Sequence, residues 1–265
     1  MNILGLALAL AIGVSLGLLG GGGSILAVPI FVYVLDLDPR IAIVVSLGVV
    51  GIVSAAGIIP HARAGRVEWR AGFLFAAGSA AGAFGGSILA ELVTGATQLT
   101  VFALVMLVAA VAMLRRSKDA QAPGDRRYHG WNDVVRLLLI AVGVGVMTGF
   151  VGVGGGFMIV PALALLAGMP MARCSGTSLM VIAINSAAGF IGYWMKPDVR
   201  ATIEGTSIAG TSLVLYSLLF TVIAIAGVVG GSLLSHRIAS TTLRAAFAWF
   251  LVVVAVGILA QKVAV

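Results

Sequence analysis

Along the chain, charge is confined to short islands. Eight stretches contain no Asp, Glu, Lys or Arg, at 1–35, 41–60, 71–90, 92–114, 137–172, 174–195, 205–235 and 245–261. A membrane-spanning helix needs about 20 consecutive apolar residues, so six of the stretches fit single spans, while 1–35 and 137–172 are too long for one crossing. The pattern predicts an all-α polytopic membrane protein whose polar islands are its connecting loops.

The chain also repeats itself. A shift of 132 residues lays Gly17, Gly20, Gly22, Gly23, Val28 and Pro29 on Gly149, Gly152, Gly154, Gly155, Val160 and Pro161. The same shift lays Ser46 and Leu47 on Ser178 and Leu179, and Ser54-Ala55-Ala56-Gly57 on Ser186-Ala187-Ala188-Gly189. A shift of 145 then lays Gly82, Gly85, Gly86, Ser87 and Leu89 on Gly227, Gly230, Gly231, Ser232 and Leu234, so 13 extra residues lie between the second and third segments of the later half. Two homologous four-segment halves follow: a first transmembrane repeat at 1–116, a cytoplasmic linker at 117–131 with Lys118, Arg126 and Arg127, and a second repeat at 132–265.

Each half opens with one of the two long stretches, and in each an apolar run meets contiguous glycines: Gly20 to Gly23 before Ser24, and Gly152 to Gly156, interrupted by Val153, before Phe157. Glycine costs a helix interior about 1 kcal/mol relative to alanine, so such a cluster breaks the helix or makes it re-entrant. Non-helical backbone at membrane depth is tolerated where protein or a water-filled cavity satisfies it, which makes paired breaks candidate site-forming elements. The spaced glycines Gly78, Gly82 and Gly86 read differently, as a small-residue ridge for close helix packing.

Lys and Arg favour cytoplasmic loops, but their count alone fits parallel and inverted halves equally. Loops related by the repeat discriminate better. The loop with Arg63, Arg66 and Arg70 has a counterpart in which Lys196 and Arg200 are balanced by Asp198 and Glu204. Glu91 answers to His236, with Arg237 and Arg244 beyond it, and Asp36, Asp38 and Arg40 face a lone Arg173. Opposite bias in related loops favours inverted repeats.

Composition removes other classes. With 61% apolar and 9% charged residues the chain has too few ionised groups to solvate a soluble globule. The net charge of +7 lies in short loops and forms no stripe able to track phosphates, so no nucleic-acid partner is expected. Cys174 is the one cysteine, and His61, His129 and His236 fall in three separate loops without ligand spacing, so neither a metal nor a cofactor is expected. The absence of a basic residue after Met1 and of a small-residue cleavage site argues against a removable signal peptide.

The two glycine-proline signatures, GLLGGGGSILAVP at 17–29 and GFVGVGGGFMIVP at 149–161, are each followed by a serine-bearing helix, with VSL at 45–47 and GTSL at 176–179. In these features the chain closely resembles the TauE/SafE family of membrane permeases, often called sulfite exporters, over essentially its whole length. The resemblance implies a multi-pass protein of the bacterial inner membrane that transports a small sulfur-containing anion such as sulfite, sulfoacetate, thiosulfate or another organosulfonate.

For such an anion the residues suggest a mechanism. A helix N-terminus offers unpaired N–H groups and about half a positive charge, and glycine lets those amides approach a ligand. The candidate substrate-binding residues are therefore Gly20, Gly21, Gly22, Gly23 and Ser24 in the first half and Gly152, Gly154, Gly155, Gly156 and Phe157 in the second. Ser46, Thr177 and Ser178 add hydroxyls in the following helices, and Asn185 adds an amide where the first half has Val53. Ser54 and Ser186 read instead as bonding their own backbone, and Cys174 as an apolar filler. With no carboxylate in the eight stretches and no Walker motif, the expected mode is secondary transport down the anion gradient and membrane potential, with proton coupling through the substrate or through His61 left open. The alternative is an anion channel using the same breaks as a filter. An enzyme is not expected, since Cys174 and the serines lack a His or Asp partner within the spans.

Overall fold

In the computed structural model, which describes residues 3–90, 92, 95–115, 131–151, 156–194, 207–208 and 211–263, the opening stretch divides where its glycines stand. Helix α1 (Ile3–Leu19) stops at a bend over Gly20 and Gly21, and α2 (Gly22–Pro29) follows and widens into a π-helical turn at Ile30–Val34. Helices α3 (Pro39–Arg63), α4 (Trp69–Ala90) and α5 (Gly95–Arg115) complete the first half. The second half repeats the order: α6 (Trp131–Val151), α7 (Gly156–Pro161) with a π-helical turn at Ala162–Leu166, α8 (Met171–Trp194), α9 (Leu213–Ser235) and α10 (Ser240–Val263). Where the later half has its extra residues, a two-residue antiparallel ladder joins β1 (Ser207–Ile208) to β2 (Thr211–Ser212), a small exception to the all-α expectation.

The repeat extends to backbone detail. Proline has no N–H and crowds the carbonyl four residues back, and after both Pro29 and Pro161 the hydrogen-bond ladder slips to wider turns. Leu35 N bonds Ile30 O at 3.1 Å and Leu37 N bonds Phe31 O at 3.1 Å, while Ala167 N bonds Ala162 O and Met169 N bonds Leu163 O, each at 2.9 Å. The equivalent positions Asp36 (φ 52°) and Gly168 (φ 73°) both turn left-handed at the end of this motif.

The chain folds back at the first break. Gly23 packs against the backbone of Ile12 and the side chain of Leu16, whereas a continuous helix would carry residue 23 about 16 Å beyond residue 12. Helix α1 lies along α9 in the same chain direction: Gly5 meets Tyr216, Gly13 meets Ala224, and Gly17 meets Val228 and Ser232. Helices α4 and α6 form the repeat-related pair, with Gly78 at Ala141, Gly82 at Val142 and Gly86 at Val146, answered by Gly145 at Ser79 and Gly149 at Ala83. In both pairs the missing side chains let backbone approach backbone, as expected of the Gly78, Gly82, Gly86 ridge.

Between these pairs, α3 and α8 pack in opposite chain directions. Gly48 meets Phe190, Gly51 meets Ser186, Gly57 meets Leu179, and Gly176 meets His61. The core includes Phe31 against Phe220 at 5.1 Å between ring centroids, together with buried Phe75 and Phe247. The outer surface is apolar too, exposing Phe73 and Phe84 on α4, Leu139 on α6, Val222 on α9 and Trp249 on α10, as a lipid-facing surface requires. Four helical segments, Ile41–Arg63, Trp131–Phe150, Met171–Ile191 and Leu213–Ser235, are long and apolar enough to cross a bilayer, and shorter apolar runs lie in α1, α5 and α10.

Candidate functional site at the helix breaks

Helix α1 ends with Gly20 N bonding Leu16 O at 2.8 Å, after which Gly20 adopts φ +72° and reverses the chain. An L side chain is strained in that region, and here it would also lie 2.5 Å from both Ser175 Cα and Ser178 Oγ. The buried Ser178 hydroxyl donates to Gly20 O at 2.6 Å and to Ser175 O at 2.9 Å, sharing one proton between two carbonyls. Helix α2 then begins at Gly22 with no side-chain cap on its N-terminal amides, while Ser24 Oγ donates back to Gly21 O at 2.7 Å.

The start of α7 lies against this break. Gly21 packs on the Gly156 carbonyl and Val160, and Gly156 packs on Ser24 Oγ and Ile182. The structure thus brings Gly20, Gly21, Ser24, Gly156 and Ser178 into one buried centre formed by α1, α2, α7 and α8, while the neighbouring Gly22 packs on Leu19 and on Phe250 of α10, and Gly23 packs back on Ile12 and Leu16 of α1. Phe157 lies in α7, and Gly152, Gly154 and Gly155 lie outside the described residues.

The remaining candidates serve other contacts. Ser46, the counterpart of Ser178, is buried and donates to Ile43 O at 2.8 Å within α3. Thr177 Oγ1 accepts from Glu68 N at 3.0 Å and so binds the residue before α4, beside an Arg173–Glu68 ion pair of 2.6 Å. Asn185 Nδ2 donates to Ser79 Oγ on α4 at 2.9 Å, and its buried Oδ1 has no partner among the described residues. Cys174 is wholly buried, and its thiol lies 3.4 Å from Met169 O, in line with a filler. Among the described residues no group of three or more His, Cys, Asp and Glu side chains is arranged to hold a metal ion.

One sequence expectation needs correction. His61 and His236 do not stand in separate loops: His61 is wholly buried in the last turn of α3, and its ring meets that of His236 with centroids 5.4 Å apart. The two are far apart in sequence, and only the packing of α3 on α9 brings them together. His129 lies outside the described residues.

Residues 5–258, nearly the whole chain, match the family described as sulfite exporter TauE/SafE. The chain belongs to the TauE/SafE family. Among its relatives, a probable membrane transporter protein of Xylella fastidiosa is 37% identical over 204 residues, covering 75% of this chain and 76% of that protein. A probable membrane transporter protein of Methanocaldococcus jannaschii is 28% identical over 198 residues, covering 71% and 72%. The probable membrane transporter protein YunE of Bacillus subtilis is 24% identical over 207 residues, covering 69% and 74%. No solved structure matches the chain. This TauE/SafE member is therefore a multi-pass membrane transporter and not an enzyme.

Proposed function

We propose that this TauE/SafE transporter exports a small sulfur-containing anion, such as sulfite, sulfoacetate, thiosulfate or another organosulfonate, across the bacterial inner membrane by secondary transport. The observation that carries this reading is the meeting of the break at Gly20 and Gly21 with the start of α7 in a buried contact, with Gly21 on the Gly156 carbonyl and Ser24 against Gly156. The sulfur chemistry comes from the family description.

The anion is held by the amides of the half-helices. The hydroxyls of Ser24, Ser46 and Ser178 are engaged with backbone carbonyls, so in this conformation they are not free donors. The α2 amides have no side-chain cap, and they carry the positive end of the helix dipole. An anion there replaces its lost hydration without a buried arginine. Export of one negative charge from a negative interior gains about 2.3 kcal/mol per 100 mV.

We read the halves as inverted repeats. An axis along the membrane normal would leave repeat-related helices running the same way, whereas α3 and α8 run oppositely, so an axis in the membrane plane fits them. Alternating access then consists of rocking one repeat against the other around the shared centre.

The test is flux in proteoliposomes with sulfite, thiosulfate, sulfoacetate and sulfate side by side. Saturable flux of a sulfur anion, stimulated by the same anion on the far side, is expected. Single-channel currents without such counter-flow would replace the carrier with a channel, and no flux of any of the four would reject the substrate class.

A further inference from the structure

His61 and His236 meet edge to face at one end of the bundle, beside the α1 break. His61 Nε2 lies 3.3 Å from the carbonyl of Gly17, a residue less than one turn before Gly20. A carbonyl only accepts, so the neutral ring carries its hydrogen on Nε2 and leaves a bare lone pair on Nδ1. That Nδ1 is buried without a partner among the described residues, as are His236 Nε2 and the Oγ of Ser232, whose backbone packs on Gly17. Buried polar atoms are normally paired, and unpaired nitrogens on two rings in contact mark a place where the partner comes from outside.

The surroundings select the partner's charge. From the α3–α4 connection, Arg66 N donates to His61 O at 2.9 Å, which holds this cationic residue next to the pair, and its charge disfavours protonation of His236. Helix α1 contributes the Gly17 carbonyl, and α8 contributes Gly176, with Arg173 nearby in its first turn ion-paired to Glu68. Arg237 follows His236 in the chain. With Arg173 balanced by Glu68, Arg66 leaves the surroundings of the pair net positive, which repels a metal ion and attracts an anion.

Resting on the reading of the chain as an anion transporter, we propose that His61, His236 and Arg66 form a second anion site, at this end of the bundle, that takes a small oxyanion together with a proton. The bare Nδ1 lone pair cannot bond an anion, but once protonated it is a donor, while Nε2–H keeps Gly17 O. Burial, and after it the charge of Arg66, hold His236 below the ordinary histidine value until an anion offsets them. Proton and anion therefore each raise the other's affinity by the same factor. The pair is one-sided, since the repeat-related positions hold Tyr193 and Glu91, so the proton comes from the face that carries Arg63, Arg66 and Arg70.

The experiment uses the detergent-purified full chain and thiosulfate, whose charge is constant across the histidine range. Binding is measured at about pH 5.5 and about pH 8, with proton uptake followed in weak buffer. The wild-type chain is expected to bind roughly tenfold more tightly at the lower pH and to take up about one proton per anion. His61→Gln with His236→Gln should make binding nearly pH-independent and abolish the uptake, and His236→Gln alone, at a helix end, should reduce both. Proton uptake that persists in the double variant, or wild-type affinity equal at both pH values, overturns the site. The wild-type measurement needs no substitution and stands even if a variant fails to fold. Thiosulfate flux in proteoliposomes with pH-independent binding overturns this site alone, whereas neither binding nor flux for thiosulfate, sulfite or sulfoacetate overturns the anion reading together with it.

Discussion

A hydroxyl carries one proton, and at Ser178 that proton is already divided between Gly20 O and Ser175 O. Serines at matched repeat positions are readable from sequence, but which acceptor holds each hydroxyl is not, because helical periodicity gives a face and not a partner. The same limit applies to Thr177, whose oxygen is used on Glu68 N, and to the two histidines, whose meeting depends on tertiary packing. His236 also gives a pH prediction. Its ordinary value is 6.5, and burial followed by Arg66 lowers it in the fold, so over that interval the unfolded chain binds a proton that the fold refuses. Stability therefore falls as pH drops through the histidine range. In the absence of anion, the thermal midpoint should be lower at about pH 5.5 than at about pH 8, and His236→Gln should narrow that difference. A midpoint that rises on acidification would contradict the direction.

Glycine spacing separates two kinds of element. Contiguous glycines at 20–23 coincide with a chain reversal, while those four apart at 78, 82 and 86 line the contact of α4 with α6. Both roles are legible in sequence because helix packing needs small residues at the helical repeat, whereas a break needs them together. The slip into π-helical turns after Pro29 and Pro161 is less legible, since proline in a helix can also kink or end it. Neighbouring positions on α4 supply a test. A methyl group at Gly86 would collide with the Val146 carbonyl, whereas at Gly85 it meets nothing within 4 Å. Gly86→Ala should lower stability by about 1–3 kcal/mol through overpacking, and Gly85→Ala should leave it unchanged or slightly raised. Thermal unfolding of the two purified variants gives the comparison, and equal midpoints would contradict the packing.

Across the whole molecule the same contacts occur twice, α1 with α9 and α4 with α6, and between them α3 crosses α8 in the opposite direction. The number of halves and their equivalence are legible because the glycine motifs survive at constant shifts. The reversal between α1 and α2 is not, because a glycine cluster allows a break without setting its angle. If α3 and α8 reflect inverted halves, the α3–α4 connection with Arg63 and Arg66 faces the cytoplasm and both chain ends face outward. In a Cys174→Ala background, a membrane-impermeant thiol reagent should reach Ala64→Cys from the cytoplasmic side and Asn2→Cys from the external side, and labelling of both from one side would refute that orientation.

The most direct measurement is thiosulfate, sulfite and sulfoacetate flux by Gly22→Val and Gly155→Val in proteoliposomes, with membrane insertion and monodispersity checked in parallel. An anion held by the half-helix amides requires that bulk at either position reduce flux at least about tenfold, the loss of roughly 1.4 kcal/mol of binding, while the proteins still insert. Undiminished flux in both variants would contradict it.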